Sequence, residues 1–243
     1  MYAKRIVANI CLLLVNFLLV AQQLDGLPTK SNIRKLDLKP GFSDISLKLS
    51  NGDAWPMKLS IPHKTIKEKV PLVVALHWGV SANENKDFMN CLMIPAIDTS
   101  RYMIIAPLSQ FHSWWENPKE KQLVRLTSLV KEFWPVSQVI IAGYSDGGTG
   151  AVHFASNHPE QIDGAIAIAA YYRLASYKVP TYVIHGVRDQ LFSYSRSKVI
   201  LEKNKQKSQR MEFKTSETLS HYEACNYVNL LQKGLEWIEE NLD

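Results

Sequence analysis

An unbroken apolar run, VPLVVALH at residues 70–77, is the feature that most constrains the fold. Such a run is typical of a strand with both faces covered, as in a parallel sheet. Further short apolar runs follow and alternate with segments of helical character, which predicts an α/β domain with a mostly parallel central sheet and helices on both faces. We expect strands at 102–107, 138–143, 164–170, 181–186 and 211–216, and helices at 83–100, 118–134, 146–157, 194–206 and from about residue 222 onward.

An antiparallel hairpin is expected to precede this sheet. The segments DISLKLS and AWPMKLSI flank Asn51-Gly52-Asp53, a strong turn signal. The polar stretch 22–42 is interpreted as a linker, so that residues 43–243 form a single domain. The connection at 171–179 has too little chain for a lid domain, and an open site is therefore expected.

The first 21 residues have the pattern of a signal peptide. Lys4 and Arg5 precede the apolar stretch IVANICLLLVNFLLVA, and Ala21 offers a small residue for cleavage. The sequence therefore predicts export, with no stable membrane insertion after cleavage. A retained N-terminal anchor is the alternative.

The charge pattern argues against a nucleic-acid partner. The formal net charge is +5, but the basic residues are scattered, apart from LEKNKQKSQR at 201–210. No aromatic residues interleave with that run, which is interpreted as a solvated helix face. Neither a G-x-G-x-x-G nor a G-K-[ST] phosphate loop is present. The composition leaves the oligomeric state open.

Ser145 lies where an apolar strand meets a helix rich in small residues. Gly143-Tyr144-Ser145-Asp146-Gly147 fits G-x-S-x-G in its strand–turn–helix context, which predicts an exposed nucleophile on a sharp turn. A Cβ at Gly143 or Gly147 would crowd the neighbouring strand or helix. An incidental serine in a glycine-rich turn is the alternative.

A serine nucleophile needs a base, and the base needs an orienting acid. In this architecture the acid follows a later strand and the histidine follows the last one. Asp189 comes after the strand in YVIHGVRD, and His221 comes after the last strand in TSETLSHYEAC. The other histidines are weaker candidates: His153 as a packed helix residue, His158 as a helix-end cap, His185 as a structural residue and His63 in a polar loop.

The chain resembles the α/β-hydrolase superfamily, and within it the small lid-less esterases of the phospholipase/carboxylesterase and dienelactone-hydrolase-like groups. The resemblance covers about residues 43–242, and its matching pieces are LHWGVSANEN, IIAGYSDGGTGAV, VIHGVRD and LSHYEAC. It implies an exported serine hydrolase that cleaves small-molecule or carbohydrate-linked carboxylic esters, without a metal or organic cofactor. A peptidase or thioesterase with the same triad and a catalytically silent binding module are the alternatives.

The resemblance also implies an oxyanion hole of two backbone N–H donors. One is that of Asp146, and the other comes from the loop after strand 70–77. Those families usually carry His-Gly there, whereas this chain has His77-Trp78-Gly79, which leaves the donor open between Trp78 and Gly79. Trp78 and Tyr144 are also candidates for the substrate pocket.

Two further features have two interpretations each. Phe111, Trp114 and Trp115 in the loop LSQFHSWWENP form either an aromatic wall for the substrate or a hydrophobic anchor for the loop. By resemblance, the helices that carry Cys91 and Cys225 lie side by side, so the two cysteines are expected either to form a disulfide or to remain as buried free thiols.

Overall fold

The computed structural model describes residues 26–242, except residues 67, 80–83 and 209. The expected signal peptide at residues 1–21 lies outside the described residues. Within the described part of the chain, no helix is both long enough and apolar enough to cross a bilayer.

A single eight-stranded sheet forms the centre of the molecule, with the strand order β1-β2-β4-β3-β5-β6-β7-β8. The β1–β2 and β2–β4 pairs are antiparallel, and the other pairs are parallel. This confirms the predicted sheet and its N-terminal hairpin. The strands are β1 (Gly41–Lys48), β2 (Ala54–Ile61), β3 (Val70–Leu76), β4 (Met103–Pro107), β5 (Val136–Tyr144), β6 (Gly164–Ile168), β7 (Thr181–Arg188) and β8 (Met211–Ser220).

Helices cover both faces of this sheet and enclose two apolar cores. Helices α1, α4, α5 and α6 contribute buried side chains to one core, and α2, the π-helical stretch after it, α3 and α7 contribute to the other. The helices are α1 (Lys30–Arg34), α2 (Glu84–Phe88), the π-helical stretch Met89–Met93, α3 (Ile94–Ala96), α4 (Lys119–Phe133), α5 (Asp146–Asn157), α6 (Tyr194–Lys207) and α7 (Val228–Asn241), with 3₁₀ turns at His63–Ile66 and Ala224–Tyr227.

The stretch expected to be a linker is packed on the domain over its described part. Thr29 caps α1 by accepting a hydrogen bond from the Asn32 N–H, and the Ile33 side chain is fully buried in the core. Pro28 forms an isolated bridge with Leu49. The polar composition of this stretch hid one buried isoleucine, which is enough to dock a single helical turn. Residues 26–40 therefore belong to the folded unit.

No inserted domain interrupts the described sheet between β6 and β7, in agreement with the predicted absence of a lid. Since the six parallel strands run in one direction, their carboxyl ends share one edge. The loops after β3, β5, β7 and β8 meet there.

Candidate active site

Ser145 occupies the sharp turn between β5 and α5. Its backbone is in the left-handed region, with φ of 56°, which is strained for a residue with a Cβ. The turn is held by the Ser145 N–H, which donates to the Ile168 carbonyl at 2.9 Å. A Cβ added to Gly143 would overlap the backbone of Gly147, and one added to Gly147 would overlap the Leu76 carbonyl. The predicted need for glycine on both sides is confirmed.

Three loops bring Ser145, His221 and Asp189 into one hydrogen-bonded chain. The Ser145 Oγ lies 2.9 Å from His221 Nε2, and His221 Nδ1 lies 2.9 Å from Asp189 Oδ2. His221 and Asp189 are 6% and 8% exposed, so both bonds are largely shielded from water. The arrangement can take a proton from a serine hydroxyl and stabilise the resulting imidazolium.

The Asp189 carboxylate is fixed by its own loop. Its Oδ1 accepts hydrogen bonds from the backbone N–H groups of Leu191 at 2.9 Å and Phe192 at 2.7 Å. Burial alone raises the pKa of this carboxyl, but the hydrogen bonds from His221 and Phe192 outweigh it, and the pKa is lowered below its ordinary value. Asp189 therefore remains ionised at neutral pH and favours the Nδ1–H tautomer of His221.

His185 supports the same loop from beneath, as a structural residue. It is fully buried, and its Nε2 lies 2.8 Å from the Phe192 carbonyl and 3.7 Å from Asp189 Oδ2. A ring nitrogen that donates to the Phe192 carbonyl ties the acid loop to the end of β7. Burial lowers the pKa of His185, which keeps the ring neutral beside Asp189 and His221.

A cavity of about 670 Å³ opens directly over Ser145 and His221. That volume is in the range of small-molecule sites. Its walls are mainly apolar and aromatic, and its polar lining side chains include Ser145, His221, Asp87 and Asn90. The lining residues are Trp78, Gly79, Asp87, Asn90, Cys91, Tyr144, Ser145, Leu191, His221, Tyr222, Ala224 and Cys225.

Phe111, Trp114 and Trp115 do not line this cavity, so the predicted aromatic wall is wrong. Trp114 is fully buried and donates its Nε1–H to the His77 carbonyl at 2.9 Å. Trp115 donates its Nε1–H to Asp146 Oδ1 at 3.2 Å, and Phe111 is 74% exposed on the outer loop. The indoles therefore anchor this loop against the start of α5, which is the alternative that the sequence left open.

The loop after β3 is oriented by the His77 ring. The Ser109 N–H donates to His77 Nε2 at 3.1 Å, which leaves the ring proton on Nδ1. That Nδ1–H donates to the Trp78 carbonyl at 2.7 Å. Since the carbonyl and N–H of a trans peptide point in opposite directions, the Gly79 N–H is directed away from His77. Burial lowers the pKa of His77 to about 4, so the ring stays neutral and keeps this tautomer at neutral pH.

Cys91 and Cys225 form a disulfide, which settles the alternative left open by the sequence. Their Cα atoms are 4.9 Å apart, within the usual range for such a bond. The bridge joins the π-helical stretch Met89–Met93 to the 3₁₀ turn Ala224–Tyr227. Because both cysteines also line the cavity, the disulfide is part of its wall.

The same architecture occurs in solved esterase structures. A thermostable esterase is 19% identical with a TM-score of 0.64; the match covers 83% of this chain and 63% of that one, so the chain spans less than two thirds of its length. An S-formylglutathione hydrolase from Agrobacterium tumefaciens is 14% identical with a TM-score of 0.66, over 86% of this chain and 98% of that one. This chain has the α/β-hydrolase fold.

A third structure with the α/β-hydrolase fold is an esterase from Thermogutta terrifontis with propionate bound. It is 14% identical with a TM-score of 0.67, and the match covers 83% of this chain and 94% of that one. No protein-family model matches the sequence, and no curated protein matches it. At these identities the likeness establishes the fold alone.

Several residues of the site were not predicted from the sequence. Leu191 and Tyr222 line the cavity, and each lies within two residues of Asp189 or His221. Their proximity in the sequence to Asp189 and His221 was the available signal. Asp87 and Asn90 at the rim carry no such signal, because their segment was predicted only as a mixed polar and apolar helix.

Proposed function

We propose that this protein is an exported serine hydrolase that cleaves carboxylic esters through an acyl-enzyme. The observation that carries the proposal is the Ser145–His221–Asp189 hydrogen-bonded chain, with both links at 2.9 Å, at the base of an open cavity. Ser145 is the nucleophile, His221 the general base and acid, and Asp189 the residue that fixes the imidazole tautomer.

In the first half-reaction, the Ser145 Oγ attacks the ester carbonyl carbon while His221 Nε2 takes its proton. The tetrahedral intermediate collapses when His221 returns that proton to the leaving alcohol, which leaves an acyl group on Ser145. A water molecule then attacks the acyl carbon, with His221 again as base. The carboxylic acid leaves, and the proton returns to Ser145.

The oxyanion of each intermediate is stabilised by two backbone N–H groups. The first is that of Asp146, which follows the nucleophile and, as the first residue of α5, has no acceptor for its N–H within the helix. The second is that of Gly79, because the Trp78 carbonyl is held by His77 and the Gly79 N–H of that peptide points the opposite way. This assignment selects Gly79 over Trp78, whose indole forms a wall of the cavity instead.

The cavity favours an ester with an apolar or aromatic group. Trp78, Tyr144, Leu191 and Tyr222 offer mainly ring and methyl carbons, and the disulfide adds a further apolar surface. A volume of about 670 Å³ accommodates a small molecule. These walls support an apolar carboxylic ester as substrate, ahead of a peptide amide.

Export is supported by two independent features. The signal-peptide pattern at residues 1–21 is one of them. The other is the Cys91–Cys225 disulfide, because such bonds form and persist mainly in oxidising compartments.

The proposal is tested with the purified mature chain on a hydrolysis panel. The panel contains p-nitrophenyl esters of increasing acyl length, feruloyl and acetylated-sugar esters, a thioester and a peptide amide. Labelling by a fluorophosphonate probe reports the activated serine independently of substrate choice. We expect ester hydrolysis and stoichiometric labelling, and a loss of kcat of roughly 10⁴-fold or more in Ser145→Ala.

Ser43→Ala is the matched control, because Ser43 is an exposed serine on the edge strand β1, away from the carboxyl edge of the sheet. It is expected to keep full labelling and activity. A wild-type chain that neither labels nor turns over any panel member would favour a silent binding module. Turnover confined to the thioester or the amide would replace the ester assignment with that class.

A further inference from the structure

A cluster of metal-ligand side chains lies at the far end of the helix that carries Ser145. Glu120 is in the first turn of α4, His153 is in the last turns of α5, and His158 caps the C-terminus of α5. One ligand atom from each of the three lies within 4.8 Å of the others, and no second group of this kind occurs among the described residues. Along α5, His153 is eight residues from Ser145, or about 12 Å of axial rise.

Both imidazoles converge on a single carboxylate oxygen. His153 Nε2 lies 2.6 Å and His158 Nε2 lies 2.8 Å from Glu120 Oε1. The three side chains are 23–25% exposed, so an ion from solvent has access to them. We propose that Glu120, His153 and His158 form a binding site for a divalent transition-metal ion, with Zn²⁺ as the expected ion.

The donor set fits this ion. Zn²⁺ binds imidazole nitrogen and carboxylate oxygen at about 2.0–2.2 Å in tetrahedral sites, which places neighbouring ligand atoms about 3.3 Å apart. The observed distances of 2.6 and 2.8 Å therefore require each contact to lengthen by roughly half an ångström. Side-chain rotation supplies such a shift, and the two helices keep their places. Two histidines and one glutamate leave a fourth position for water.

Histidines that bind a metal usually donate the outer ring N–H to an oxygen acceptor, and each ring here has such an acceptor within reach of a side-chain rotation. His158 Nδ1 lies 3.9 Å from the Glu160 carboxylate. His153 Nδ1 lies 3.0 Å from the Asn157 side-chain amide. Rotation of that amide presents its Oδ1 to a proton on Nδ1, so each ring can bind the ion through an unprotonated Nε2.

The electrostatic setting also favours a cation. The site lies at the C-terminus of α5, where the helix dipole presents its negative end. Glu120 adds a formal negative charge within hydrogen-bond distance of both rings. A bound ion would link α4 to α5. Because it would bind the folded chain and not the unfolded one, it would stabilise the fold.

The test is Zn²⁺ titration of the tag-free mature chain by calorimetry, together with thermal unfolding at increasing ZnCl₂. We expect one bound ion per chain and an unfolding midpoint that rises with ZnCl₂ concentration. Substitution of Co²⁺ should give the visible absorption of a nitrogen- and oxygen-ligated tetrahedral site. His153→Gln and Glu120→Gln are each expected to weaken Zn²⁺ binding by about tenfold or more.

His63→Gln and His112→Gln are the controls, because each removes an exposed histidine elsewhere on the chain. They are expected to bind Zn²⁺ as the wild type does. Circular dichroism checks folding, and His158→Gln provides a further variant if His153→Gln fails to fold. Absence of Zn²⁺ binding by the wild type would leave the three residues as a hydrogen-bonded helix cap and overturn the proposal, as would undiminished binding by the double variant Glu120→Gln/His153→Gln.

Discussion

The Tyr144 hydroxyl donates a hydrogen bond to the main-chain carbonyl of His221 at 2.8 Å. Tyr144 immediately precedes Ser145, so this bond ties the strand that leads to Ser145 to the backbone of His221. Burial raises the pKa of the phenol, which therefore remains a donor over the working pH range. The ring also lines the cavity, while its hydroxyl fixes the position of His221 relative to Ser145.

We expect Tyr144→Phe to lower kcat by roughly fivefold, because one hydrogen bond contributes about 1 kcal/mol. The ring and its apolar contact with the substrate remain, so KM should change little. Steady-state kinetics on the preferred ester would measure both values. Tyr182→Phe is the control, since Tyr182 is a buried tyrosine of β7 that packs on Trp237 instead. If Tyr144→Phe raised KM and left kcat unchanged, Tyr144 would act in substrate binding rather than in positioning.

Asp189→Asn is expected to reduce kcat by roughly 10⁴-fold, because the amide would favour the wrong tautomer of His221. The backbone donors at Leu191 and Phe192 can still bond an Asn oxygen, so the fold should persist. The triple variant Ser145→Ala/Asp189→Asn/His221→Ala should be little worse than Ser145→Ala, since the three residues act as a unit. Single-turnover kinetics resolve the residual rates, with Asp98→Asn at the surface as control.

Near-normal activity in Asp189→Asn would contradict this role. Glu217 in β8 would then be the next acid to test.

Removal of the disulfide should destabilise the chain and disturb the site together. The bridge closes 134 residues of sequence separation, for which the chain-entropy model gives about 4–5 kcal/mol. The double variant Cys91→Ser/Cys225→Ser should therefore have a lower urea midpoint. The 3₁₀ turn next to His221 would also be less constrained, which should reduce kcat. Two titratable thiols in the denatured wild type, recovered without reductant, would contradict the bridge.

The alternation of strands and helices was readable from the sequence because parallel strands buried on both faces are nearly all apolar. The same pattern gave the order of Ser145, Asp189 and His221, since each follows a strand at one edge of the sheet. Their proximity in space is then a consequence of the topology. No detailed side-chain information was needed for that step.

The position of the aromatic loop at residues 108–118 could not be predicted from the sequence. A tryptophan in a loop is equally consistent with a wall of the substrate cavity and with a side chain that anchors the loop to the domain. Which of the two it is depends on the side of α5 on which the loop lies. Trp114 takes the inner side because the His77 carbonyl accepts its N–H. Likewise, the hydrogen bond between His77 and Trp78, which orients the Gly79 amide, depends on ring placement that no sequence spacing encodes.

The buried His77 ring leads to a separate prediction about how the stability of the folded chain depends on pH. Its ring is fully buried, and burial lowers its pKa from the ordinary value of 6.5 to about 4. The unfolded chain therefore takes up this proton first as pH falls. The contribution of the neutral ring is fully present above about pH 6.5 and is lost progressively down to about pH 4, with a total of about 3 kcal/mol.

Urea unfolding at several pH values between 7 and 4 measures this loss, and His77→Asn isolates it. The variant should be less stable at pH 7 because the ring's packing against Trp114 is gone. Its stability should nevertheless fall less steeply between pH 6.5 and 4, since the His77 imidazole is no longer there to be protonated and only the buried His185 ring still contributes. His112→Asn, at an exposed loop position, should keep the wild-type slope. An unchanged slope in His77→Asn would mean that the acid sensitivity arises from other groups, with the lowered pKa of Asp189 acting only below about pH 4.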